Sequence, residues 1–242
     1  MLEPVFENKK SENTGEKCYI YNRQSAVEYA HYYTEGQGQR RDRYIRYLSG
    51  AADSFLSWAN PEYFFYKQNC AAFLSQCLHA GGIPMNKEWH QIKKLKGRAF
   101  ISETQRRVRR VLSAFLIISQ RFRAFLGLEC WDVSKPWREA QENYNYFSDS
   151  SSGFISGNCI RCNKASDIPQ IIKENSIRPG DIVYLKKTGA VSHCLLISKL
   201  SDSEIYYCAN RYTRYDMELS EGIMREKNTE AVILCLKDEI TL

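Results

Sequence analysis

The stretch KQNCAAFLSQCLHAGGIPM, residues 67–85, limits what this chain can fold into more than any other. Ala71, Ala72, Phe73, Leu74, Cys77 and Leu78 leave only Ser75 and Gln76 clearly polar. A helix built from it is apolar over most of its circumference, so it needs cover on nearly every side and belongs in the middle of a domain. Gly81-Gly82 supplies a C-terminal stop and Pro84 prevents the helix from resuming. A chain of 242 residues has enough surface to bury such an element.

The flanking segments predict the rest of the organisation. Residues 1–18 read as a disordered or extended tail. In YNRQSAVEYAHYYT, from Tyr21 to Thr34, Ala26, Tyr29, Ala30 and Tyr33 recur at helical spacing, and EGQGQR breaks the pattern. A second helix is expected over about Asp42 to Trp58, closed by ANPEYF because the residue before a proline avoids the α region. A short helix follows at about Trp137 to Tyr146, then a Ser/Gly/Asn loop over 148–158. The last third changes character: GDIVYLKK, SHCLLISKL, EIYYCAN and AVILCLK are β-prone segments separated by turn signals such as TGA and SDS. Helices first and strands afterwards predict an α+β domain with an antiparallel sheet. The expectation is one domain over 19–242, with a basic helical insertion at about 86–130.

That insertion centres on residues 98–126, where Val108, Leu112, Phe115 and Leu116 recur at helical spacing between arginines. Its apolar centre is far too short to cross a bilayer. A basic amphipathic helix can lie on an anionic membrane surface, but the plainer reading is packing on the domain or on a second subunit. The net charge of +6 permits an acidic partner without requiring one, and nothing beyond charge points to nucleic acid. The polar N-terminus has no apolar signal core, which predicts a cytoplasmic protein. Nine irregularly spaced cysteines predict reduced thiols rather than a disulfide framework. Cys159-x-x-Cys162 is half a zinc or redox motif with no second pair behind it, so neither a metal nor a cofactor is expected.

Cys70 opens the central helix, where unpaired N–H groups and the helix dipole favour a thiolate. A buried, inert cysteine is the competing reading. Activation requires a base. His31 lies in the first predicted helix and His90 in a charged loop, while His79 is about 13 Å along the axis from Cys70, too far to serve. His193 begins the strand HCLLIS, and alternation predicts that His193, Leu195 and Ile197 share a face. Asn210, at the end of EIYYCAN, is the best candidate to orient it through its amide oxygen. From spacing alone, Asn210 reads more simply as a strand-ending residue bonded to its own backbone.

YNRQSAVEYA (21–30), NPEYFFYKQNCAAFLSQCLHAGGIPM (60–85), KPWREAQENYNYF (135–147), RPGDIVYL (178–185) and SHCLLIS (192–198) resemble, in order, successive blocks of the bacterial putative amidase domain. The resemblance implies a papain-like, NlpC-related fold, with Cys70 as nucleophile, His193 as base and amide or peptide hydrolysis as the reaction. It also suggests cell-envelope chemistry, in tension with the missing signal segment. The family usually has a histidine where this chain has Asn210. It commonly reads Asp-Cys-Thr-Asn-Phe where this chain has Asn69-Cys70-Ala71-Ala72-Phe73. The oxyanion would be held by the Cys70 N–H and a second donor, with Gln68 and Tyr66 the candidates. The other function classes are a binding module that keeps the fold without efficient catalysis, and a membrane-surface or oligomerisation protein working through 98–126.

Overall fold

The computed structural model describes residues 8–10, 17–36, 63, 69–94, 130–157, 159–210, 214–225 and 230–241. The expected helices at 42–58 and 98–126, together with Tyr66 and Gln68, lie outside the described residues.

The framework is a six-stranded antiparallel sheet in the order β5-β10-β6-β7-β8-β9. It is built from β5 (Ile160–Cys162), β6 (Ile182–Lys187), β7 (Ala190–Leu200), β8 (Ile205–Ala209), β9 (Arg214–Glu218) and β10 (Glu230–Leu234). Thr188 and Gly189 close the β6–β7 hairpin with φ of 50° and 83°, the left-handed pair that a tight two-residue hairpin turn requires. A three-stranded sheet joins β1 (Asn8–Lys10), β2 (Lys17–Ile20) and β11 (Glu239–Thr241), and β3 (Gln91–Lys94) pairs with β4 (Cys130–Val133). Of the stretch read as a tail, residues 8–10 form β1 and residues 17–18 open β2.

Both faces of the main sheet are covered, which is why its strands read as apolar runs. One face carries Ile182, Tyr184, Cys194, Leu196, Cys208 and Val232, and packs against the helices α1 (Arg23–His31), α2 (Cys70–Ala80), α3 (Lys135–Arg138) and α4 (Ala140–Ser148). The other carries Val183, Leu185, Leu195, Ile197 and Tyr207, against α5 (Ile168–Glu174) and α6 (Leu219–Arg225). The architecture is α+β with antiparallel sheets.

Helix α2 sits where its composition demands: every residue from Cys70 to Leu78 is buried. Its two polar side chains are fully used. Ser75 Oγ donates to the Trp137 carbonyl at 3.1 Å and accepts from Trp89 Nε1 at 3.0 Å and Asn143 Nδ2 at 3.1 Å. Gln76 Oε1 accepts from the Tyr29 hydroxyl at 3.0 Å. The helix stops at the predicted glycines: a Cβ on Gly81 would lie 2.4 Å from Tyr21 Cε2, and Gly82 takes φ of 97°.

Other boundaries moved. The first helix is α-helical only to His31 and ends in a π-helical turn over Tyr32–Gly36. The helix expected at 137–146 is two helices, broken at Glu139, whose φ of −106° and ψ of 126° are extended.

Two of the sequence blocks dock on each other. The Tyr21 hydroxyl donates to the Gly180 carbonyl at 2.7 Å, Asn22 caps α1 by accepting from the Ser25 N–H, and Arg23 pairs with Asp181 at 2.6 Å and Asp238 at 2.7 Å. Arg23 also donates to the Leu236 carbonyl. Asp181 is fully buried and additionally accepts from the N–H groups of Arg178 and Leu236, both at 2.8 Å. This polar staple ties the start of α1 to β6 and the C-terminal segment.

Candidate functional site

Cys70 is the first residue of α2, and the first helical hydrogen bond runs from the Phe73 N–H to the Asn69 carbonyl at 2.8 Å. The N–H groups of Cys70, Ala71 and Ala72 precede that bond and have no acceptor within the helix. The helix end thus presents donors and partial positive charge to the thiol.

The thiol of Cys70 is held well below the ordinary range. The largest cause is a hydrogen bond from the Cys194 thiol. Burial opposes the shift, and a hydrogen bond and positive charge from His193 reinforce it. The partner Cys194 is pushed well up, by its burial and by the negative charge on Cys70. The pairing thus favours negative charge on Cys70, with the Cys194 thiol as the donor. Cys70 is 8% exposed and His193 4%, so the pair lies just beneath the surface.

The register keeps His193 in step with Leu195 and Ile197, since it pairs with Leu185 on their side of the sheet. Leu195 and Ile197 pack on the face away from α2, whereas Cys194 and Leu196 face it. Strict alternation would send His193 away from Cys70. The β6–β7 ladder slips between Leu185 and Lys186, pairing His193 with Leu185 and Val191 with Lys186, so Ser192 is an inserted residue. Such a bulge locally re-aims side chains, and the imidazole reaches Cys70.

Asn210 follows β8 directly and is 2% exposed. Cys208 pairs with Leu196, so continuing the register by two residues sets Asn210 beside Cys194. Its Oδ1 has no hydrogen-bond partner among the described residues, so acceptance from the His193 ring is not among its contacts. Asn69 Oδ1 is likewise buried without a partner among the described residues. Ala71 and Ala72 are 1% and 0% exposed and belong to the core. A substitution at either position therefore changes packing beneath the thiol, not a polar surface around it.

The other histidines have separate roles. His79 Nδ1 donates to the Ile83 carbonyl at 2.9 Å, and burial lowers its pKa. His90 Nδ1 lies 3.1 Å from the Asn86 carbonyl oxygen. His31 Nε2 lies 2.9 Å from Asp216 Oδ1. Its pKa is pushed up to about 9, first by a hydrogen bond with Cys208 and, against burial, by Asp216. Among the remaining thiols, Cys77 is fully buried and pushed well up by that burial. Cys162 is buried, bonded to the Lys164 carbonyl and pushed up to about 11 by its burial.

Sequence reasoning missed Cys194 altogether. Its neighbour His193 drew attention, and alternation argued against both side chains reaching one sulfur. The signal was present in the twin placement of Cys194 and Cys70 at apolar core positions.

The family model of the putative amidase domain matches residues 20–234. A 34-residue stretch is 53% identical to the uncharacterized protein YhbB of Bacillus subtilis (strain 168), covering 14% of this chain and 11% of that protein. No solved structure matches. Among the described residues no helix is long and apolar enough to cross a membrane.

Proposed function

The chain belongs to the putative amidase domain family, and from that premise we propose that it is a cysteine-dependent amidase or peptidase of papain-like, NlpC-related design. The observation that carries this reading is the Cys70 thiol, set at a helix N-terminus in contact with His193 and held well below the ordinary range. The Cys70 sulfur attacks the carbonyl carbon of an amide or peptide, and the oxygen takes up negative charge near the unpaired N–H groups of α2. His193 carries the thiol proton and gives it to the leaving nitrogen as the C–N bond breaks, leaving a thioester on Cys70. Water then attacks the thioester with His193 as base, releasing the acid and restoring the thiol. Asn210 is the positioning residue in this scheme, its Oδ1 having no partner among the described residues and so being available to the ring. The substrate is a peptide or amide, and the basic chain suits an anionic one.

The test is competitive labelling with a limiting amount of iodoacetamide near neutral pH, read by peptide mass spectrometry. Cys70 should be modified well ahead of the other eight cysteines, and His193→Ala should slow it by about tenfold or more. Equal labelling across all thiols would sink the hydrolase reading. A second reading, a binding module on the same fold, is favoured by the unpartnered Asn210 Oδ1. It predicts fast labelling of Cys70 without a hydroxylamine-sensitive acyl adduct when active acyl esters are offered.

A further inference from the structure

On the α1 side of the sheet, three side chains converge from elements far apart in sequence. They are His31 at the end of α1, Cys208 on β8 and Asp216 on β9. We propose that His31, Cys208 and Asp216 form a mononuclear site for a divalent transition-metal ion, zinc by the character of its donors, with water completing the shell.

The distances suit it. The imidazole nitrogen, sulfur and carboxylate oxygen all lie within 4.8 Å of one another. His31 Nε2 is 2.9 Å, and Cys208 Sγ 3.9 Å, from the same oxygen, Asp216 Oδ1. Tetrahedral zinc, with bonds of about 2.0 to 2.3 Å, sets its ligand atoms roughly 3.3 to 3.7 Å apart. Small side-chain rotations bring the three atoms onto those edges.

The chemistry narrows the ion. One sulfur, one imidazole and one carboxylate are the ligand types zinc accepts, whereas calcium and magnesium take oxygen donors. Binding displaces two protons to solvent, one from the Cys208 thiol and one from His31 Nε2, and a thiolate with a carboxylate balances the two positive charges. Supporting contacts of the kind that orient metal ligands are in place. Ser198 Oγ donates to Asp216 Oδ1 at 2.6 Å, Thr34 Oγ1, which donates to the Ala30 carbonyl at 2.7 Å, lies 3.7 Å from Cys208 Sγ, and the His31 ring packs on Tyr215 with centroids 4.6 Å apart. Asp216 holds φ of 45°, a strained setting for a residue with a side chain. The His31 and Asp216 side chains are 30% and 25% exposed, which leaves a solvent-facing fourth position. Three protein ligands with an open position are the pattern of zinc sites that keep a water or exchangeable ligand. No linear motif announces the set, because positions 31, 208 and 216 meet only through the packing of α1 on β8 and β9.

The experiment uses the full chain, stripped with chelator and titrated with Co²⁺ alone, then with Zn²⁺ to displace it. One Co²⁺ per chain should bind with a thiolate-to-cobalt charge-transfer band that Zn²⁺ abolishes. Cys208→Ser should remove the band, and His31→Gln and Asp216→Asn should each weaken binding at least about tenfold. Cys70→Ser and Cys162→Ser should leave stoichiometry and band intact, which separates this site from the catalytic thiol and from the Cys159–Cys162 pair. No saturable binding at one per chain overturns the proposal, and so does a band that persists in Cys208→Ser. If Cys208→Ser fails to fold, His31→Gln decides, because its side chain is partly exposed: unchanged affinity with unchanged far-ultraviolet dichroism overturns the site.

Discussion

At the scale of single residues, the reactivity of Cys70 depends on what donates to its sulfur. The Cys194 thiol is the largest stabiliser of the thiolate, ahead of His193. A donor to the charged form lowers a pKa, so removing that donor raises it. Cys194→Ala should therefore move the midpoint of the pH profile of Cys70 alkylation upward, while Cys194→Ser, whose hydroxyl still donates, should move it much less. His193→Ala should also raise the midpoint, and the wild-type midpoint should lie below that of an ordinary thiol near 8.5. A Cys194→Ala profile that superimposes on wild type would show that the thiol pair contributes nothing. Legibility in the sequence divides along the same line. The helix start at Cys70 was readable from its neighbours, whereas the strand expected to begin at His193 begins three residues earlier, at Ala190. Cys194 and the convergence of His31, Cys208 and Asp216 were not readable, since both depend on strand register and on how the helices pack on the sheet, which no local pattern encodes.

At the scale of elements, α2 is held by two mechanisms, apolar packing all round and one hydroxyl. Ser75→Ala leaves the Trp89 and Asn143 donors and the Trp137 carbonyl without that partner inside the core. Leaving buried groups unpaired costs about 1 to 3 kcal/mol each, reduced by relaxation. Urea unfolding should show a loss of roughly 2 to 4 kcal/mol, and a loss under about 0.5 kcal/mol would mean that another partner replaces the hydroxyl. The staple at the start of α1 gives a contrast between two carboxylates. Arg23→Met strands Asp181, which is fully buried, and should cost about 3 kcal/mol or more. Asp238 is half exposed, so Asp238→Ala should cost under about 1 kcal/mol. Equal losses from the two substitutions would show that burial does not set the strength of this pair. The start of α2, its glycine stop and its central place were legible, because each follows from a few adjacent residues. The break at Glu139 and the π-helical end of α1 were not, because tertiary packing decides them against local propensity.

At the scale of the whole molecule, the covering of the sheet on both sides organises everything else. Four of its six strands, β6, β7, β8 and β10, were visible as apolar runs, and their antiparallel class followed from the order of helices before strands. The three-residue strand β5 and the seven-residue helices α5 and α6 were missed because they carry too few positions to show a period, and β9 because it is a largely polar, half-buried edge strand. The layering predicts how stability is distributed. Segments open locally in proportion to how little apolar surface and how few paired neighbours they have. Strands β6 and β10 are flanked on both edges and buried from Ile182 to Lys186 and from Ala231 to Leu234, whereas β9 ends the sheet and is only half-buried. Native-state hydrogen exchange should therefore show the slowest amides in β6, the Cys194–Ile197 segment of β7 and β10, with β9 exchanging faster. The start of β7, at Ala190 to Ser192, should be intermediate, because the bulge interrupts its ladder beside the candidate catalytic histidine. Protection at Ala190–Ser192 as high as at Leu195–Ile197 would mean that the histidine is held as rigidly as the core, and that its reach to Cys70 does not depend on local give at the bulge.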